Sequence, residues 1–251
     1  MPFTDQIYLG LLFFVVAALY SMVGFGGGSS YLAILTFYMA DQYLIRSNAL
    51  FSNIAVVSIG TITALLDKSL NLKKAALYVA LSIPAAYLGA TVRLSDRSFF
   101  ILLAIALLLS SVGMVLQSLL KKIEEQPSKK LTVQQLGVGG IIGFFSGMVG
   151  IGGGIFLSPV VNLLKMETAK TIAGIASFFI LVNSIAGVFG LWKEGNLKIE
   201  FTTTMVLIGT VILGGFIGSR IKSSKLKSNH IRLLTALLVF VVGIRLLIKY
   251  L

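Results

Sequence analysis

The sequence predicts an all-α, polytopic membrane protein made of two inverted repeats. Each repeat is a glycine-broken re-entrant helical hairpin followed by three transmembrane helices. Three observations predict this: a composition too apolar for water, eight long runs nearly free of charge, and an internal duplication around a glycine-rich motif.

Of 251 residues, 57% are hydrophobic and 12% charged, with a mean hydropathy of +0.96. Soluble domains carry about 25% charged residues, so a water-soluble globule is excluded. There is no Cys and one His, His230. Disulfides, thiolate nucleophiles, Cys-ligated metals and multi-histidine sites are therefore excluded, and no cofactor or metal is expected. The net charge of +12 resembles a nucleic-acid footprint, but in a chain this apolar it reads as basic loops against anionic lipid. No nucleic-acid partner is expected.

A membrane-spanning helix needs about 20 mostly apolar residues. Runs of low charge occur at 6–40, 47–66, 75–92, 98–120, 131–164, 171–192, 201–219 and 233–248. The first and fifth are too long for one crossing and are interrupted by glycine; the others have single-span length, and the charges collect between runs. None shows the period-two alternation of a β-barrel strand. No Lys or Arg precedes Arg46, so the first run lacks the basic start of a cleaved signal peptide and is read as part of the mature protein.

Self-comparison shows the repeat. Residues 21–28, SMVGFGGG, align with 147–154, GMVGIGGG, at an offset of 126 with six of eight positions identical. The order continues through Ser58-Ile59 with Ser184-Ile185, Asn71-Leu72-Lys73 with Asn196-Leu197-Lys198, Arg93 with Arg220, and Gly113 with Gly243. The units are 1–120 and 132–251, joined by the polar linker 121–131 containing Pro127.

The distribution of positive charge chooses between topologies. If both long runs fold back to their starting side, one face carries Arg46, Arg93, Arg97, Lys193, Lys198, Arg245 and Lys249, and the other face carries the remaining 14 of 21 positives. If both runs cross, the division is 11 against 10, with no usable bias. The hairpin arrangement leaves three full crossings per repeat, an odd number, which inverts the second copy. The linker is then cytoplasmic and both termini lie outside an inner (cell) membrane.

The candidate site follows from the glycines. Three adjacent glycines cost a helix about 1 kcal/mol each relative to Ala. They also free backbone groups that lipid cannot satisfy, so such breaks belong against protein or a watery cavity. Paired breaks in corresponding places of two halves mark a transporter's midplane site. Half-helices starting after them, about 29–40 and 155–165, would point unpaired amides and about half a positive charge each at the protein centre, which suits an anion. Gly26, Gly27, Gly28 and Ser29, with Gly152, Gly153 and Gly154, are the predicted anion contacts. Asn48, Ser52 and Asn53 in the first half, and Ser177 and Asn183 in the second, could complete its coordination or bond between helices. All nine carboxylates fall in loops or at run ends, so no cation site or proton relay is evident at midplane. Arg245 is the one charge set well inside a run, near enough to the chain end to snorkel.

The paired Gly-x-Gly-Gly-Gly runs, the second followed by Ser158-Pro159, resemble the TauE/SafE-type sulfite exporter family, as do the Asn71-Leu72-Lys73 and Asn196-Leu197-Lys198 loops. The resemblance covers essentially the whole chain. It implies a permease for small sulfur-containing anions or organic acids, with the family's glycine motifs falling on Gly24–Gly28 and Gly150–Gly154. Ala33 stands where the second copy has Pro159.

The expectation is a transporter, not an enzyme, that exports sulfite or an organosulfonate such as sulfoacetate by alternating access. Its partners are the small anion and a bilayer with anionic lipid; an oligomer is possible but not derivable. An anion channel, or a carrier of another organic acid anion, is the alternative.

Overall fold

A computed structural model describes residues 3–22, 26–119, 132–164, 166–221 and 228–251. Gly24, Phe25, Lys165 and the predicted linker 121–131 lie outside them. Among the described residues there are ten helices and no strand. The first half holds α1 (Phe3–Ser21), α2 (Gly28–Tyr38), α3 (Gln42–Leu66), α4 (Leu72–Thr91) and α5 (Asp96–Leu119). The second holds α6 (Thr132–Val149), α7 (Gly154–Leu163), α8 (Ala169–Lys193), α9 (Phe201–Arg220) and α10 (Ser228–Tyr250).

Local sequence explains the boundaries. Asp41 caps α3, its Oδ1 accepting from the amides of Tyr43 at 2.8 Å and Leu44 at 3.2 Å. Asn71 and Thr168 cap α4 and α8 through the amides of Lys74 and Thr171. Such caps satisfy amides that a helix start leaves unpaired. By contrast, α2 and α7 start at Gly27 and Gly153, which offer no side-chain cap. At 11 and 10 residues, these helices rise about 15–17 Å, half of a hydrocarbon core of about 30 Å.

Among the described residues, six helices are long and apolar enough to cross a membrane: α1, α3, α5, α8, α9 and α10. The expectation for the third run differs in one respect. The helix at 75–92 forms, but it starts at Leu72 with Lys73 and Lys74 in its first turn, and it is not among the six. The surface is apolar, and the largely apolar core also holds polar side chains: Leu109, Val112 and Leu116 of α5 face outward, while Ser47, Asn48, Ser52 and Asn53 of α3 are buried.

Close approaches give the helix directions. Gly10, Gly214 and Gly218 bring α1 and α9 together in parallel, through Thr210, Phe14 and Ala18. Gly139, Gly143 and Gly147 do the same for α6 against Tyr78, Ser82 and Ala86 of α4. A Cβ on Gly147 would stand 2.1 Å from the Ala86 carbonyl oxygen, so backbone meets backbone there and only glycine fits. In contrast, α3 and α8 run antiparallel, with Gly60 at Ser177 and Gly187 at Leu50. α5 and α10 are also antiparallel, with Arg97 donating to the backbone oxygens of Tyr250 and Leu251. The principal pairings keep their form when the halves are exchanged: α1–α9 corresponds to α6–α4, α3–α9 to α8–α4, and α2–α10 to α7–α5.

Among the described residues, three ion pairs each join one half to the other: Lys74–Glu167 at 2.7 Å, Arg93–Glu194 at 3.0 Å, and Lys198–Asp41. The last two lie at the end of the molecule where the C-terminus also meets Arg97. Lys74–Glu167 lies at the opposite end, with the α3–α4 turn, whose Leu70 packs on Gly174. We call these the terminal end and the linker end.

Candidate functional site

The two glycine breaks meet. Gly26 and Gly28 abut Asn53 and Val57 in the middle of α3, and Gly152 and Gly154 abut Ile180 and Ser184 in the middle of α8. A Cβ on Gly28 would lie 2.3 Å from the carbonyl oxygen of Ile151, so the first break touches the second. Asn53 ties them, its Nδ2 donating to Ile151 O at 2.9 Å. The second break is a left-handed turn, with φ of +84° at Gly150, +81° at Gly152 and +85° at Gly153. L side chains rarely adopt that conformation, which is why the motif needs glycine at these positions.

Between the breaks lies a small pocket. The first break contributes Gly26, Gly28 and Ser29, and the second Ile151, Gly154, Ile155, Ser158 and Pro159. Tyr20 of α1, Met114 and Gln117 of α5 and Ile180 of α8 complete the lining. Gln117 sits near the C-terminus of α5, which ends at the linker end, and Tyr20 near the C-terminus of α1, beside the first break, which puts the pocket on the linker side of the breaks. No lining residue is charged. The polarity comes from backbone and hydroxyls: the N-termini of α2 and α7 both border the pocket, each with roughly half a positive charge and without a side-chain cap.

The polar side chains at the breaks have hydrogen-bonding capacity to spare. Tyr20 Oη and Ser30 Oγ are paired at 2.8 Å, and Gln117 Nε2 donates to Ser158 Oγ at 3.3 Å. Ser29 Oγ, Tyr31 Oη, Asn53 Oδ1, Ser146 Oγ and Ser184 Oγ are buried without a partner. Each abuts a break: Ser29 in the pocket wall, Tyr31 against Gly27, Asn53 between the breaks, Ser146 against Gly153 and Ser184 against Gly152. A buried, unsatisfied polar group costs about 1–3 kcal/mol.

The residues predicted as a site separate into groups. Gly26, Gly28, Ser29 and Gly154 line the pocket. Gly27 and Gly153 cap the half-helices, and Gly152 packs against Ile180, Ser184 and Asn53. Ser52 is buried with its Oγ unpartnered, and so is Asn183 with both amide atoms. Ser177 is buried against Gly60 at the α3–α8 contact. Asn48 is engaged elsewhere: it donates to Leu44 O at 2.9 Å and accepts from Thr204 of α9 at 2.8 Å, so its amide joins helices.

Among the polar residues at the breaks that the sequence reading does not single out are Tyr20, Gln117, Ser146 and Arg46. Tyr20 and Gln117 carry a visible signal, since each is a polar-tipped residue near the end of an otherwise apolar run. Ser146 matches Tyr20 at the repeat offset and gives no such signal. Arg46 is the main difference from expectation. The apolar run starting at 47 places it in a loop, but α3 starts at Gln42, and Arg46 is fully buried one turn inside. Arg46 thus joins Arg245 as a charge set inside a membrane-spanning helix. Arg245 itself lies over the Phe37 ring at 4.0 Å.

Residues 9–246 match the family described as sulfite exporter TauE/SafE. The chain is 31% identical to the "Probable membrane transporter protein y4hK" of Sinorhizobium fredii, over 97% of this chain and 99% of that protein. It is 26% identical to a protein named in the same words from Methanocaldococcus jannaschii, over 94% and 92% of the two chains. It is 21% identical to another so named, YunE of Bacillus subtilis, over 98% of each. No solved structure matches the chain.

Proposed function

This chain belongs to the TauE/SafE sulfite exporter family and is a multi-pass membrane transporter; from that premise we propose that it exports a small sulfur-containing anion, sulfite or an organosulfonate such as sulfoacetate. The observation that carries the reading is the pocket where the uncapped N-termini of α2 and α7 meet beside the unpartnered hydroxyl of Ser29. Two helix N-termini supply about one positive charge with no side-chain cation. The amides fan out as an oxyanion's oxygens require. Hydroxyls and amides of Ser29, Asn53 and Gln117 then supply neutral donors around it.

The proposed architecture is an inverted repeat, in which each long run enters and leaves on one side. It is supported by the antiparallel course of α3 against α8 and by break positions at mid-length of those helices. Residues 1–120 and 132–251 are the two units. With the linker in the cytoplasm and both termini outside, the structure is the state open to the cytoplasm. Alternating access would move the α6–α7 hairpin and its mate against α3 and α8. An inside-negative potential favours anion exit by about 2.3 kcal/mol per charge per 100 mV, so export needs no coupled cation.

The test is efflux of radiolabelled sulfite and sulfoacetate from proteoliposomes holding an imposed potential. We expect saturable efflux that accelerates with inside-negative voltage, and counterflow driven by sulfite outside. Unitary currents in a planar bilayer would replace the carrier by a channel, and no movement of either anion would remove the proposed cargo.

A further inference from the structure

We propose that Arg46 is a second anion station, on the terminal side of the glycine breaks, which receives the anion from the pocket before release; this rests on the transport reading above. The guanidinium is fully buried, yet it forms no ion pair among the described residues. Its NH2 group donates to Ala90 O at 3.2 Å and Gly147 O at 3.1 Å. Both carbonyls belong to the last turns of helices, α4 and α6, whose ends carry partial negative charge. Its Nε and NH1 are buried without an acceptor. A buried cation held by two neutral carbonyls and carrying two spare donors is half of an anion site. Guanidinium groups match oxyanions with a two-pronged edge; Nε shares such an edge with NH2, and that edge is complete for an anion once NH2 releases a carbonyl.

Position supports the assignment. Arg46 and Asn53 lie seven residues apart on α3, so they share a face. They flank the second break from two sides: Asn53 holds Ile151 O, and a Cβ on Gly150 would stand 3.2 Å from Cβ and Cγ of Arg46. The pocket reaches Ile151 and Gly154 from the linker end, while Arg46 reaches Gly147 and Gly150 from the terminal end. The second glycine turn thus separates the pocket from the guanidinium. The bonds to Ala90 and Gly147 clamp α3 to the ends of α4 and α6, and the ion pairs Lys198–Asp41 and Arg93–Glu194 lie at that same end. When the second hairpin moves, Arg46 exchanges the Gly147 carbonyl for the oxygens of the anion. Closure and relay are then two states of one side chain.

The experiment compares wild type, Arg46→Gln and Arg46→Lys in two measurements: sulfite binding to protein purified in detergent, and sulfite efflux from proteoliposomes. Gln keeps a donor for one carbonyl but no charge; Lys keeps the charge but not the fork. We expect Arg46→Gln to bind sulfite within threefold of wild type and to move it at least tenfold more slowly. Arg46→Lys should recover part of that rate with a raised KM for sulfite. Efflux by Arg46→Gln within twofold of wild type overturns the station and leaves the pocket reading intact. Equal loss of rate in both variants, with equal loss of thermal stability and unchanged KM, assigns Arg46 a packing role and also overturns it. Absence of sulfite binding and efflux in the wild type removes the transport reading itself, and the station with it.

Discussion

Replacing Gly28 by Ala tests whether the junction of the two breaks is where transport happens. The added Cβ would lie 2.3 Å from Ile151 O and 2.5 Å from Asn53 Nδ2, where ordinary contact starts near 3.4 Å. The opposing backbone must retreat by about 1 Å, and overpacking of this kind costs about 1–3 kcal/mol. The same intrusion displaces the Asn53–Ile151 hydrogen bond of 2.9 Å, worth about 0.5–1.5 kcal/mol net. Together these give about 2–4 kcal/mol against the packed junction, or roughly 30- to 700-fold in its population at 1.4 kcal/mol per factor of ten. Gly28 has ordinary helical backbone with no positive φ, so the effect is steric contact and not backbone strain. The assay is sulfite efflux at matched reconstitution, with Gly209→Ala as control. Gly209 is in α9 with nothing within 4 Å of its Cβ position, so Ala there gains helix propensity and meets no obstacle. Efflux should fall at least tenfold in Gly28→Ala and stay within twofold in Gly209→Ala. Wild-type efflux from a folded Gly28→Ala protein would refute the reasoning.

Other outcomes follow from the same geometry. Gly153→Ala places a side chain at φ +85° and 2.7 Å from Phe179 Cε1, adding about 1–2 kcal/mol of left-handed strain to the clash; a lowered midpoint in thermal melting checks it. Single-cysteine variants at Ser95 and Lys193, on loops joined by the Arg93–Glu194 pair, should react with an impermeant thiol reagent from the same side, whereas eight crossings put them on opposite sides. The Asp41 carboxyl is raised by partial burial, but the Lys198 hydrogen bond and the Leu44 and Tyr43 amides outweigh this and hold it below its ordinary value. A carboxyl lowered by folding contributes its stability in full above its unfolded value of about 4 and loses it as pH falls through the folded one. The melting advantage of wild type over Asp41→Asn should therefore be present at pH 7 and shrink as pH falls below about 4.

Much of the architecture was legible along the chain. The low-charge runs correspond to helices because a bilayer allows only internally hydrogen-bonded backbone, and length against hydrophobic thickness then sets the element. The glycine triplets marked the starts of α2 and α7 to within about one residue, because a helix cannot easily continue through them. The backbone part of the site was legible for the same reason. Its side-chain part was less so. Asn48, Ser52 and Asn53 look alike on one apolar run, yet Asn48 bonds to Thr204, Ser52 is left without a partner, and Asn53 holds Ile151. The choice depends on which helix lies opposite, and that information is not local.

By itself, then, the sequence determined that the chain is helical, lies in a membrane, repeats once and breaks in two matching places, because each of these follows from composition and spacing along one strand of chain. Tertiary structure alone decided that the breaks touch, that Tyr20 and Gln117 complete the pocket, and that Arg46 lies buried beneath the second glycine turn. A charge next to an apolar run reads as a loop residue until the ends of α4 and α6, distant in sequence, close around it. Burial is a property of neighbours, and those neighbours lie 44 and 101 residues away.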